Sequence, residues 1–326
     1  MKHLRWGILG ASKFAREFMG PAIHAARGSE LLAVASRAGA GAAPFREFAS
    51  GCRDVEGYEA LLSDPEIDAV YIPLPNHLHV QWALKAMDAG KHVLVEKPAA
   101  LHADEFDQLI AARDASGLMA AEAFMIVHHP QWQRARHLVA DGAIGELLHV
   151  SGAFSFDNRA DTANIRNTAR MGGGALRDIG VYIFGSARFV TGEEPEITAA
   201  RLRMEQDFDT FADVQALFPS GVTYSAYVST RMHQTQCMEF HGSNGLLRLT
   251  APFNANVYDQ ARIEIHQPNL GLRIERFPSA SQYVAQVEAF GDAVNGADYA
   301  CPLEFSRGTQ VMIDSVLEIG TVLEQK

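Results

Sequence analysis

An acid, a lysine and a proline stand together at Glu96, Lys97 and Pro98, directly after the apolar run Val93, Leu94, Val95. A continuous apolar run of this length suits a strand covered on both faces in a parallel sheet. Ligands of such sheets bind just beyond the carboxyl ends of the strands. Lys97 is therefore expected at a crevice, on a turn stiffened by Pro98, whose preceding peptide bond tolerates the cis form at modest cost. Ordinary loop charges would look the same locally, so the decision rests with the rest of the chain.

A second constellation follows the glycines Gly172, Gly173 and Gly174. Leu176, Ile179, Ile183, Ala187 and Val190 fall on one helical stripe, which is expected to lie on a sheet. Asp178 and Tyr182 are four apart and share a different face. An acid and a phenol one turn apart, beside glycines that permit close approach, suit proton transfer in a cleft. A surface Asp bonded to a rim Tyr is the plainer alternative.

The third signal is the turn Gly10-Ala11-Ser12-Lys13-Phe14-Ala15, directly after the first apolar run. Against the dinucleotide pattern G-x-G-x-x-G it keeps Gly10 and replaces the other two glycines by Ser12 and Ala15. Backbone N–H groups and a helix dipole would still meet a pyrophosphate there, with Ser12 and Lys13 as added donors; a plain strand-to-helix turn is the alternative. The second strand ends in Ser36 and Arg37, with no acid to take the ribose hydroxyls of NAD. An arginine there suits the extra phosphate of NADP, so NADP is expected over NAD, although Arg37 would also serve as a solvated loop residue. His77, His79, His128 and His129 lack a cysteine partner or an H-E-x-x-H frame, and no metal is expected.

These residues need elements to position them. Apolar runs at Leu4 to Leu9, Leu31 to Ala35, Ala69 to Ile72, His92 to Val95 and Leu118 to Ala121 alternate with helical patterns. That rhythm predicts an α/β, doubly wound parallel (Rossmann) domain over residues 1–123. Beyond it the period changes to two, at Leu148, Val150, Gly152, Phe154 and Phe156, at Val222, Tyr224, Ala226 and Val228, and at Ile263 and Ile265. Gly242 to Gly245 (GSNG) reads as a hairpin turn. Residues 124–326 are expected to form an α+β domain with a large, mostly antiparallel sheet, covered on one face by the helix near Gly174 to Val190. Two helices, Ser281 to Asn295 and Glu304 to Leu323, complete the pattern. The uncovered sheet face predicts a homodimer or homotetramer through this domain.

The 326 residues suffice for two cores. With 28 Lys and Arg against 39 Asp and Glu, the net charge of -11 argues against nucleic acid and anionic membrane as partners. Cys52, Cys237 and Cys301 have no C-x-x-C spacing, so neither a disulfide framework nor a zinc ribbon is suggested. The strand pattern begins almost at once and no apolar run approaches ~18 residues. A cytoplasmic protein handling small molecules is expected.

Together, WGILGAS, SR after the second strand, VYIPLPNHLH, AGKHVLVEKP, EAFM with HHPQW, NIR at Asn164 to Arg166 and GGGALRDIGVY resemble the Gfo/Idh/MocA oxidoreductase family. The resemblance covers nearly the whole chain and is nearest to the dihydrodiol dehydrogenase, xylose dehydrogenase and anhydrofructose reductase branch. It implies a dehydrogenase or reductase that moves a hydride between NADP (or NAD) and a neutral sugar, polyol or cyclic diol. It further implies that Lys97, Asp178 and Tyr182 act at the reacting oxygen, with the Lys97 ammonium stabilising the Tyr182 phenolate. By the same matching, Gly10, Ser12, Lys13, Phe14, Ser36, Arg37, Pro75, Asn76, His79, Glu96, Lys97, Arg166 and Tyr283 are implied cofactor contacts. Where related chains often read F-M-Y-R, this one has Phe124, Met125, Ile126 and Val127, which implies a different substrate. Two further readings stay open: a glycoside hydrolase of the same family that keeps NAD bound, and a catalytically silent nucleotide-binding regulator.

Overall fold

Strands β1 (Leu4–Leu9), β2 (Ser29–Ser36), β3 (Arg53–Glu56), β4 (Ala69–Ile72), β5 (His92–Val95) and β6 (Ala120–Glu122) pair in the order β3-β2-β1-β4-β5-β6 in the computed structural model, which describes residues 3–324. Every pair is parallel. The order reverses between β1 and β4, the switch point at which doubly wound sheets bind ligands. Successive side chains serve opposite cores, as the two-residue period requires. Leu9, Val70, Ile72, Val93 and Val95 join Trp82, Met87, Phe106 and Leu109 from the helices His79–Asp88 and Ala103–Ser116. Trp6, Ile8, Tyr71 and Leu94 join Ile23, Phe45, Val287 and Phe290 on the other side.

The helix Gln282–Val294 belongs to this unit. Its Phe290 ring lies 5.1 Å from Trp6, so the unit ending at His128 recovers Ser281–Arg307 from late in the chain. A single boundary after residue 123 does not describe this division, because the apolar face of β1 is covered by that later helix. The second unit runs from His129 to Ala280 and continues from Gly308.

In the second unit, β7 (Leu147–Asp157), β8 (Glu196–Glu205), β9 (Phe208–Leu217), β10 (Thr223–Ser229), β11 (Arg231–Gly242), β12 (Gly245–Leu249), β13 (Arg262–Gln267), β14 (Gly271–Arg276) and β15 (Thr321–Val322) form one nine-stranded sheet. Its order is β14-β13-β12-β11-β7-β10-β9-β8-β15. Pairing is antiparallel except between β7 and β10 and between β8 and β15. Gly242 faces Gly245 across the GSNG turn, as expected. Leu148 departs from the expected inward stripe. The register of β11 on β7 slips between His241 and Gly242, which passes over Leu148 and leaves it 51% exposed.

The helix after the glycine run also differs from a simple amphipathic cover. It opens with one wide π turn, Leu176–Gly180, and continues as Val181–Thr191. Every residue from Val181 to Val190 is buried, so the helix is enclosed all round, as its nearly unbroken apolar sequence dictates. It meets the sheet where β7 has no side chain: a Cβ on Gly152 would come 3.4 Å from Ile183 Cγ2 and 2.5 Å from Met238 Sδ. Among the described residues no helix is long and apolar enough to cross a membrane.

Candidate functional site

In the first unit the turn after β1 is built around Gly10, whose φ of +110° strains any other residue. Ser12 Oγ accepts Ala15 N–H at 3.1 Å and so holds the start of the following helical segment. Lys13 is exposed, 4.0 Å from Glu17. At the tip of β2, Ser36 Oγ accepts Ala40 N–H at 3.2 Å, and Arg37 is exposed without a hydrogen bond or ion pair among the described residues. A Cβ on Gly41 would fall 2.9 Å from Ala11 Cβ and 3.1 Å from Ser36 Cβ. The β2 tip therefore closes onto the β1 turn only because residue 41 lacks a side chain. Bare backbone at Gly10 and Gly41, with the exposed Arg37 directly after β2, fits a dinucleotide carrying a ribose phosphate. Phe14 packs with Phe18 and Tyr283, ring centroids 5.2 and 5.6 Å away. Burial and the nearby Glu96 charge raise the Tyr283 phenol above its ordinary value.

Pro75 and Asn76 are half-buried at the turn after β4. His79 is fully buried, with Nδ1 2.8 Å from Pro98 O and Nε2 2.7 Å from Leu74 O; the neutral ring donates to one of these carbonyls and only the imidazolium to both. The ring, implied as a cofactor contact, lies between the turns after β4 and β5. Burial pulls its pKa down to about 4, against the two carbonyls, which favour the imidazolium. Glu96 Oε1 accepts Tyr71 O–H at 2.5 Å and Oε2 accepts Lys97 N–H at 3.1 Å. Burial raises the Glu96 carboxyl above its usual range, while the Tyr71 hydrogen bond and the Lys97 charge oppose the rise. Lys97 follows β5 as expected, and the Lys97–Pro98 peptide is cis.

In the second unit, Asp178 is 8% exposed and accepts Arg166 Nε–H at 2.6 Å. Sequence matching implied Arg166 as a cofactor contact; the structure gives its guanidinium to Asp178. The glycine run makes this possible. A Cβ on Gly173 would lie 2.6 Å from both Ile165 O and Arg166 O, and one on Gly174 would lie 2.2 Å from Asp209 Oδ1. Asp209, invisible to motif reading, accepts Leu176 N–H at 2.8 Å and caps the site helix. Burial pushes its carboxyl up to about 6. Asp178 sits in the wide π turn, so it and Tyr182 are separated by less than the full α-helical turn expected; such turns recur at functional sites. Tyr182 is buried, with its ring 5.8 Å from Phe154 and 5.7 Å from Phe253.

The histidine pair is structural. His129 Nδ1 accepts Gln131 N–H at 3.0 Å and caps the helix Pro130–Ala140, while the His128 ring lies 5.0 Å from Tyr299. Burial lowers both to about 4. Met125, Ile126 and Val127, the departure from F-M-Y-R, are buried.

Comparison with known proteins finds relatives that match over nearly the whole chain. Residues 4–124 match the model of the oxidoreductase family with an NAD-binding Rossmann fold, and residues 132–248 match the GFO/IDH/MocA C-terminal domain. The chain is 35% identical to a dTDP-3,4-didehydro-2,6-dideoxy-alpha-D-glucose 3-reductase of Actinomadura kijaniata, covering 93% of this chain and 90% of that one. It is 32% identical to a D-xylose 1-dehydrogenase (NADP(+)) of Haloferax volcanii, covering 97% of each. Among solved structures it is similar to KijD10, a 3-ketoreductase from Actinomadura kijaniata in complex with NADP and TDP-benzene, with TM-score 0.90, 32% identity and 99% coverage of both chains. KijD10 has also been solved with a lysine changed to alanine and with a tyrosine changed to phenylalanine. Those two positions are separated in KijD10 by within one residue of the separation between Lys97 and Tyr182 here.

Proposed function

We propose, from the premise that this chain belongs to the Gfo/Idh/MocA oxidoreductase family and is an NAD(P)-dependent oxidoreductase acting on sugar CH–OH and C=O groups, that it prefers NADP and uses Lys97, Asp178 and Tyr182 on a neutral sugar or polyol. The observation that carries the reading is Lys97, held directly past the carboxyl end of β5 in a parallel sheet whose β1 and β2 turns suit a dinucleotide. Bound nicotinamide supplies the hydride chemistry. The protein's share is the proton. Tyr182 gives a proton to, or takes one from, the substrate oxygen. A phenol of ordinary pKa near ~10 needs help to do so near neutrality, and an ammonium acting on the same substrate oxygen would supply it by favouring the phenolate, the part this reading gives to Lys97. Asp178, steadied by Arg166, orients the substrate. The lysine and tyrosine variants of KijD10, at nearly the same separation, support these two roles.

A second substrate reading, a keto group on a dTDP-linked sugar, is favoured by the identity with the 3-reductase. One screen tests both. Free aldoses and polyols with NADP or NAD, and dTDP-keto sugars with NADPH or NADH, are followed by nicotinamide absorbance. Turnover of free sugars with NADP supports the first reading; turnover confined to dTDP-sugars supports the second. Cofactor that cycles without net consumption, with glycoside cleavage, would replace both.

A further inference from the structure

Three side chains of the first unit grip the backbone that presents Lys97, one of them held in turn by a fourth. Glu96, itself held by Tyr71 from β4, accepts Lys97 N–H at 3.1 Å. His79 meets Pro98 O at 2.8 Å. Glu122, at the end of β6 and 2% exposed, accepts Ala99 N–H at 2.8 Å through Oε1. Polar groups of three successive residues, 97 to 99, are thus met by side chains from β6, the β5 terminus and the helix His79–Asp88.

Glu122 is the unexpected member. Its neighbours Ala120, Ala121 and Ala123 are small and buried, and an apolar residue in its place would avoid desolvating a carboxyl. What the acid adds is a strong, directional bond to one amide, of the sort that orients the groups of a reactive centre from behind. We infer that Glu122 is a positioning residue: through Ala99 N–H it fixes the 97–99 turn and so sets where Lys97 stands. The inference rests on the reading of Lys97 as catalytic.

The test uses full-length protein with NADP bound and ¹⁵N label confined to its six lysines. The Lys97 amide is assigned by its loss in Lys97→Arg. Glu122→Asp keeps the charge but is too short to reach Ala99, and Glu122→Gln keeps an acceptor of the right length. The Asp variant is expected to move the Lys97 resonance while leaving the distant lysines in place, with NADP affinity within about twofold and D-xylose turnover down about 10- to 10²-fold, as misplacement of a reacting group produces. The Gln variant is expected to recover most of the signal position and turnover. An unmoved Lys97 resonance in Glu122→Asp overturns the inference, as does a Gln variant no better than Asp. If Lys97→Met itself keeps full turnover, the catalytic reading of Lys97 fails instead, and the resonance still reports whether Glu122 sets the turn.

Discussion

Replacing Arg166 by alanine separates two roles that one arginine cannot share fully. Its Nε–H reaches Asp178 at 2.6 Å, the aspartate side chain 11% exposed and the arginine side chain 37%. Removing one partner of a fully buried pair costs about 3 to 5 kcal/mol, and an exposed pair is worth about 0 to 1. With the acid enclosed and the guanidinium over a third open, screening by water brings the expected cost to about 1 to 2 kcal/mol. Trp132, buried in the second unit with its N–H on Pro252 O at 2.7 Å, reports that unit alone once Trp6 and Trp82 are changed to phenylalanine. In that background Arg166→Ala, Asp178→Asn and the double variant are unfolded in urea under Trp132 fluorescence. The coupling should be about 1 kcal/mol, because Asn retains a neutral acceptor. In the parent background, Arg166→Ala should lower turnover while leaving NADP affinity within about twofold. Coupling below about 0.3 kcal/mol would refute the pair as a stabilising unit; a large loss of NADP affinity with turnover preserved would restore Arg166 to the cofactor.

Tyr182→Phe keeps the ring between Phe154 and Phe253 and removes the proton carrier, so turnover should fall roughly 10² to 10⁴-fold with NADP affinity unchanged; near-full turnover would pass the proton to another group. Its loss should not add to that of Lys97→Met, since the two disable one unit. Arg37→Ala should weaken NADP by ~1.5 to 3 kcal/mol and leave NAD alone, and titrations that show NAD preferred in the parent would sink the assignment. Asp209 has a folded pKa of about 6 against 3.8, so its neutral form suits the fold: the stability it lends is complete below about 3.8 and lost as pH rises through 6. Relative to Asp209→Asn, the parent should lose on the order of 3 kcal/mol between those limits, and a flat difference in unfolding free energy would contradict this. The uncovered face of the nine-stranded sheet, carrying Ser151, Asp213, Gln215, Ser225, Tyr227 and Glu239, should pair with a second copy; light scattering that shows a monomer at all working concentrations excludes it.

Much of this architecture is legible because burial on both faces leaves a mark. Leu4–Leu9, Ala69–Ile72 and His92–Val95 are apolar runs that begin and end where the strands do. Arg53–Glu56 is an edge strand in which Val55 is the single apolar residue among charged ones, so it carries no such mark and escapes notice. The candidate residues divide the same way. Lys97, Asp178 and Tyr182 are announced by neighbours in sequence. Glu122 and Asp209 are single acids whose partners are backbone amides 23 and 33 residues away, contacts that exist only after folding. The surroundings of His79 are hidden for a related reason, since a motif gives its position but not the two carbonyls its ring faces.

The late return of Ser281–Arg307 to the first unit sets an order of events during synthesis. The ribosome delivers the chain from its N-terminus, and β7 through β14 all emerge before Phe290 can reach Trp6. β7 must itself wait, since its two neighbours, β10 and β11, are made well after it. The second unit can thus pair eight of its strands while one side of β1 still lies open. A nascent chain with its first 280 or so residues clear of the ribosome would hold a nearly finished sheet and a Rossmann unit lacking its last helix, with Trp6 and Ile8 exposed to whatever binds apolar surface in the cell.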